Sequence, residues 1–384
     1  MKRFNEKVSR KNTNCVKWDM ADENVLPFSI ADSDYPTSEA IAKCLTDRVN
    51  HPVYGYTFPD EMYYESIVNW TKRRYGYEID KDNIIPTNSV VTALYYAINY
   101  LKDVTEGIIV QTPVYNPFYS VILDNGKKIV ENRLIKKDNY YTINLQELDR
   151  LLETNKILLL CNPQNPTGRV FTYDEIHEIV KLAKKHNAYI LSDEIHCDII
   201  HDGYKFTSVN RFADLYKNII VFTSISKSFG LAGLKTSNVI IKDKKLAEGY
   251  RAFLQSKYIS YGNIFGLVAV KAAYNQSEEW LDKQNKHLTN NYNLLKEYLN
   301  KNHPEVGVTK AEGTFLAWLD LSFLRMPCEV MQQELLKFGI SINEGKRYSE
   351  DCKGYIRFNF ACSEDLLMEG LKILSKFIKA NAKK

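Results

Sequence analysis

The hydrophobic pattern of this chain has two textures. From residue 89 to residue 224, short unbroken apolar runs are separated by stretches with helical spacing. GIIVQ (107–111), KILLLC (156–161), AYILSDE (188–194) and NIIVFTS (218–224) read as strands. Apolar runs without polar alternation suit strands buried on both faces of a sheet. Between them, SVVTALYYAINYL (89–101), NPFYSVILDNG (116–126) and TYDEIHEIVKLAKKHN (172–187) predict helices. Thr172 stands at the N-cap of the last, with Glu175 three residues on, as in a capping box. Strands alternating with helices predict an α/β fold with a largely parallel, doubly covered sheet.

Upstream, residues 1–35 read as irregular. Helices are predicted for EAIAKCLTDRVN, after Pro36-Thr37-Ser38, and for EMYYESIVNWTKRRYG (61–76), which stops at Gly76. After residue 276 the texture changes. SEEWLDKQNKHLTNNYNLLKEYLNKN (277–302) is one long charged amphipathic helix. Strands TFLAWLDL (314–321) and GYIRFNFA (354–361) follow, with helices at 328–338 and 364–379. The expected organisation is a large domain over residues 46–276 and a smaller α+β lobe from residues 1–45 and 277–384. A chain of 384 residues suits two such units.

Composition narrows the function classes. The net charge is +4, a weak excess, and no helix-turn-helix or basic DNA-reading segment is visible, so direct nucleic-acid binding is not expected. No apolar run reaches the ~18 residues of a membrane span. MKRFNEKVSRKN carries charge with no apolar run behind it, so no signal peptide is expected. Seven scattered cysteines without a C-x-x-C pair suit reduced thiols in a cytoplasmic protein.

Four polar clusters fall beside predicted strands, where open α/β sheets bind ligands. CNPQNPTG (161–168) is a rigid turn that presents amides. SDEIHCDI (192–199) places Asp193 at the end of an apolar strand, where it could neutralise a protonated ring nitrogen. SISKSFGLAGLK (224–235) sets Lys227 between Ser224 and Ser226, and a lysine of lowered pKa forms Schiff bases with carbonyls. PTNSVVTAL (86–94) feeds a helix N-terminus, whose N–H groups suit a phosphate. Taken singly, each has a plainer reading: a strand-to-helix turn, a helix cap, a surface lysine, any helix start. Together, Asn165, Asp193 and Lys227 follow three successive strands, 28 and 34 residues apart. A phosphate seat, an anion for a ring nitrogen and a Schiff-base lysine on one rim describe a pyridoxal phosphate site.

At this point the chain resembles the fold-type I pyridoxal phosphate enzymes of the aspartate aminotransferase superfamily. Within them it is most similar to the cystathionine β-lyase branch typified by MalY and PatB. CNPQNPTGRVFTYDE, LSDEIHCDI, SISKSFGLAGLK, QTPVYNPFY, GYIRFNFACS, SRKNTNCVKWD and PFSIADSDY carry the resemblance, which spans essentially the whole chain. It implies a mostly parallel seven-stranded sheet flanked by helices, plus a smaller α+β domain. It also implies that Lys227 would hold pyridoxal 5'-phosphate covalently and later move the Cα proton. Asp193 would pair with the ring nitrogen, Asn165 would bond the phenolic oxygen, and Tyr115 would stack on the ring. The amides of Val90 and Val91 and the hydroxyls of Ser224 and Ser226 would seat the phosphate. Tyr56 would reach the phosphate of a neighbouring subunit, which implies a homodimer. Arg357 would clamp the substrate carboxylate.

Two positions depart from the wider aminotransferase pattern. Lys235 stands eight residues after Lys227, where an arginine is usual, and His196 stands where many transaminases have tyrosine. The implied reaction is α,β-elimination of cystathionine or related sulfur amino acids to pyruvate, ammonia and a thiol. The alternatives are an aminotransferase using the same site with a keto-acid acceptor, and a lyase that also binds a regulator protein.

Overall fold

The computed structural model describes residues 2–259 and 262–382. Its centre is a seven-stranded sheet. The strands are β1 (Ile84–Thr87), β2 (Gly107–Thr112), β3 (Lys128–Arg133), β4 (Ile157–Cys161), β5 (Tyr189–Asp193), β6 (Ile219–Thr223) and β7 (Ser237–Ile240). They lie in the order β1-β7-β6-β5-β4-β2-β3. Only β7 runs antiparallel to its neighbours. The helices that matter here are α1 (Glu39–Asn50), α2 (Glu61–Trp70), α3 (Val90–Tyr100), α4 (Tyr173–Lys185), α5 (Lys244–Ser256), α6 (Ile264–Gln276), α7 (Glu278–Asn302) and α8 (Glu364–Asn381).

The unbroken apolar runs have the burial that they predict, because successive residues serve opposite faces. Ile108, Val110, Leu159, Leu191, Ile220 and Phe222 pack with α3 and α5 on one face. Ile109, Leu158, Leu160, Ile190 and Val221 pack with α2, α4 and α6 on the other. Each such side chain contributes about 2 kcal/mol on leaving water. The capping box at the start of α4 is formed in both directions. Helix α2 ends at Trp70 in a wider turn over Thr71–Tyr75, stopped by Gly76 at φ +68.

The apolar pattern accounts for four of the seven strands. β1 contains Pro86, and β3, KIVENR, is a half-polar edge strand. β7, SNVI, is short and half polar. None of these makes the run that marks a central strand.

Residues beyond α6 build a second, antiparallel sheet. β8 (Gly307–Val308), β9 (Leu316–Asp320), β10 (Asn343–Glu344) and β11 (Tyr355–Asn359) lie in the order β8-β9-β11-β10. α7 and α8 cover it through Leu288, Leu295, Leu371 and Phe377. The N-terminal segment joins this core. Leu26–Pro27 pairs in parallel with Ile340–Ser341, and Phe28 stacks on Phe358 at 4.3 Å. Helix α1 instead packs on the large sheet's helices, where the Cys44 thiol donates to Val268 O at 3.5 Å. The boundary expected between residues 45 and 46 therefore falls inside one continuous helix.

Residues 28–34 then run as a strap across the carboxyl end of the large sheet. Arg10 pairs with Asp32 and Asp34, and buried Lys17 pairs with Asp34 at 2.6 Å. Gly230, at φ +69, lets the strap close down, since a Cβ there would sit 2.8 Å from Ser33 Oγ.

Candidate active site

Strand register levels three of the expected residues. Cys161 at the end of β4 lies opposite Asp193 at the end of β5, and Asp193 lies opposite Phe222 near the end of β6. Asn165 sits in the turn after β4, where Gln164 Oε1 accepts from the Thr167 N–H at 2.9 Å. Lys227 occupies the single turn Ile225–Ser228 after β6. Ser224 caps that turn. Its hydroxyl accepts from the Ser226 N–H at 3.0 Å and donates to Thr236 O at 2.7 Å.

These elements enclose a cavity of about 280 Å³, lined by Val90, Val91, Tyr115, Asn165, Asp193, His196, Lys227 and Arg357 among others. Lys227 Nζ donates to Ala31 O at 2.6 Å, and among the described residues no carboxylate lies within ion-pair distance of it. Burial lowers its pKa first. The charges of Arg357 and Lys235 push the same way, against Asp32 and Asp193. Asp193 is the converse. Burial raises its carboxyl to about 7, opposed by the Ile195 N–H at 3.0 Å and by Lys227.

His196 is held neutral. Burial and then the Lys227 and Arg357 charges lower it to about 3, and its ring meets Phe315 edge-on at 5.7 Å. Tyr115, raised to about 12 by burial and then by Asp193, keeps its proton. Arg357 lies on β11 and is 3% exposed. It donates through Nη1 to Asn165 Oδ1 at 3.2 Å and through Nη2 to Ser29 O at 2.6 Å. Among the described residues its buried Nε has no partner, and neither has His196 Nδ1.

Val90 and Val91 open α3, whose N-cap Ser89 Oγ accepts from the Thr92 N–H. The two preceding amides are the orphan donors of a helix start, and both residues line the cavity. Not every expected residue reaches that wall. Ser224 is buried behind the lysine turn, and half-buried Ser226 stands beside it. Lys235 is exposed, at φ +47 after a short turn. Tyr56 is fully exposed in the irregular segment between α1 and α2 and touches nothing in its own chain's cavity.

Sequence reasoning missed the strap's carbonyls, Ser29 O and Ala31 O, and the wall residues Asn343 and Arg347. PFSIADSDY was visible as a motif, but a backbone acceptor leaves no side-chain signature. Among the described residues no cluster of His, Cys, Asp and Glu could hold a metal ion, and no helix is long and apolar enough to cross a membrane.

Residues 23–374 match the family described as aminotransferase class I and II. The chain is 33% identical to the cystathionine β-lyase PatB of Bacillus subtilis strain 168, over 96% of this chain and 98% of that one. Cystalysin from Treponema denticola, whose crystal structure contains a pyridoxal 5'-phosphate cofactor, superposes with a TM-score of 0.94. It is 34% identical, over 98% of both chains. The pyridoxal phosphate-bound C–S lyase of Staphylococcus hominis superposes at 0.91, with 29% identity over 97% of both chains. A family match over most of the chain, together with a rim that carries the expected lysine, aspartate and asparagine, places the chain: it belongs to the class I and II aminotransferase family.

Proposed function

We propose that this protein is a pyridoxal phosphate-dependent C–S β-lyase. It takes an amino acid R–S–CH2–CH(NH3+)–COO− with one water and releases R–SH, pyruvate and ammonium. The observation that carries the reading is one cavity that brings together Lys227, without an ion-pair partner among the described residues, the buried carboxyl of Asp193, Asn165 and Arg357. The residues fit the cofactor. Asp193 is a buried carboxyl whose only hydrogen bond among the described residues is one backbone N–H, so a ring cation would relieve its raised pKa. The orphan amides of Val90 and Val91 suit a phosphate, and Tyr115 offers a ring face. The charge of Lys235 is felt at Lys227, although Lys235 does not line the cavity.

When bound, the cofactor supplies a sink for the electron pair left as the Cα–H bond breaks. The chain does the rest. A lowered pKa raises the share of neutral Lys227 amine, which serves as a nucleophile and then as a base for the Cα proton. Ala31 O orients that amine. Arg357 has a buried Nε, unpartnered among the described residues, and a spare hydrogen on each Nη with which to fork a carboxylate, while Asn165 and Ser29 hold the guanidinium in place. His196, neutral and donor-capable, stands over the same space without adding charge.

The lobes of this reading are those expected, 46–276 and 1–45 with 277–384, except that the whole of α1 (Glu39–Asn50) goes with the large one. A second copy of the chain completes it. Val49, Val53, Tyr54, Tyr56, Phe58 and Met62 are all exposed within one short segment, an apolar surface that suits a homodimer contact carrying Tyr56 to the neighbour. A cytoplasmic location fits the seven unpaired cysteines.

The test is pyruvate release from L-cystathionine by the cofactor-loaded protein with no keto acid present. Pyruvate formation that disappears in Lys227→Ala establishes elimination. Turnover only when a keto acid is added would assign the site to transamination instead.

A further inference from the structure

The cavity holds two guanidinium groups, and the proposed chemistry uses one. Arg357 is deep and serves the α-carboxylate. Arg347 lines the same cavity from the single turn Gly345–Arg347 that follows β10, with its side chain 47% exposed. Tyr348, the next residue in the chain, packs its buried ring 5.3 Å from the Arg357 guanidinium.

Arg347 is fixed from behind. Its Nε pairs with Glu344 Oε1 at 3.3 Å, and the other oxygen of Glu344 accepts the Lys346 N–H at 2.7 Å. Among the described residues its two Nη groups have no protein partner. An anchored guanidinium with both terminal nitrogens open, at the mouth of a pocket that already binds one carboxylate, is arranged for a second. A purely apolar substituent on sulfur would gain nothing from it.

We infer that Arg347 is a specificity-determining residue that selects sulfur amino acids whose S-substituent ends in a carboxylate. The inference rests on the C–S lyase reading for its substrates. Dicarboxylic substrates are favoured over S-alkyl cysteines because the charged fork is met only by the former. Asn343, beside it on the wall, donates to Ser29 O at 2.9 Å and to Tyr348 Oη at 3.2 Å, which stiffens the mouth.

The experiment compares S-(2-carboxyethyl)-L-cysteine with its terminal carboxamide, a pair that differs in charge and hardly in shape. Holoenzyme is assayed for pyruvate release, and calorimetry measures binding of the non-cleavable L-2-aminopimelate and its 7-amide. The expected result is a preference for the carboxylate of about tenfold, carried by KM in turnover and by Kd in calorimetry. Arg347→Met should bring the ratio close to one, and Arg347→Lys should restore part of it. Equal handling of acid and amide by the wild type overturns the inference, and that arm needs no variant to fold. A ratio unchanged in Arg347→Met also overturns it. If no substrate yields pyruvate, the lyase reading falls, and the binding ratio still decides the role of Arg347.

Discussion

Lys17 and Lys227 both leave bulk solvent, and their surroundings treat them in opposite ways. Lys17 is 3% exposed and meets Asp34 at 2.6 Å, while Arg10 and the Trp18 indole serve the same carboxylate. That is a buried ion pair with its hydrogen bonds filled. Lys227 faces one carbonyl, Ala31 O, and its nearest opposing charges lie too far off for an ion pair. The first region spends its charges on holding the strap. The second withholds a partner, so the amine is driven toward its neutral, reactive form. The difference separates a lysine that builds structure from one that does chemistry. The two regions are joined, since the strap fixed by Lys17 presents the carbonyl that Lys227 uses.

The sharpest way to break this contrast is Lys227→Ala. Turnover should fall by roughly 10⁴-fold, and the visible absorption of the bound cofactor should be lost. Thermal stability should hold or rise, because an unpaired amine leaves the interior. Retained pyruvate release would end the contrast. Lys17→Met should do the reverse and act on the fold. Asp34 keeps Arg10 and Trp18, so the cost should be about 2 kcal/mol in denaturant titration, below the ~3–5 kcal/mol of a buried charge left alone. A larger loss in kcat than in stability would show that the strap acts mainly on chemistry.

Asp193→Asn removes the anion but not the shape. Activity should drop by about 10²-fold with the fold intact, measured as kcat on the cofactor-loaded variant. The smallest effect concerns pH. In the cofactor-free protein Asp193 titrates near 7, above its unfolded value. Between about pH 4 and pH 7 the folded state keeps a proton that the unfolded chain has released, so stability falls as pH rises. Glu194, raised to about 8 by burial, adds the same slope. Lys227, with its lowered value, adds the opposite slope only above its own folded pKa. Asp193→Asn should therefore gain on the wild type between pH 5 and pH 7.5 in urea midpoints, and equal slopes would contradict the assignment.

Comparing pattern with structure, β4, β5 and β6 were legible because both their faces are buried and they read as unbroken apolar runs. β1, β3 and β7 were not, because Pro86, an edge position and a short polar start each dilute the signal. The same logic governs the site. Asn165, Asp193 and Lys227 announce themselves as polar residues at the ends of apolar strands. Arg347, on a half-exposed turn, looks like any surface cation until the cavity is seen.

The sequence by itself determined the four apolar strands of the large sheet, their alternation with helices and the residues along the sheet's rim, since periodicity and strand-end polarity are local properties. The tertiary structure alone decided what surrounds them. Ser29 and Ala31 approach Arg357 and Lys227 across 328 and 196 positions of chain. The withheld ion pair at Lys227 and the raised pKa of Asp193 follow from that closure, because desolvation depends on which distant segments exclude water, and no local pattern encodes it.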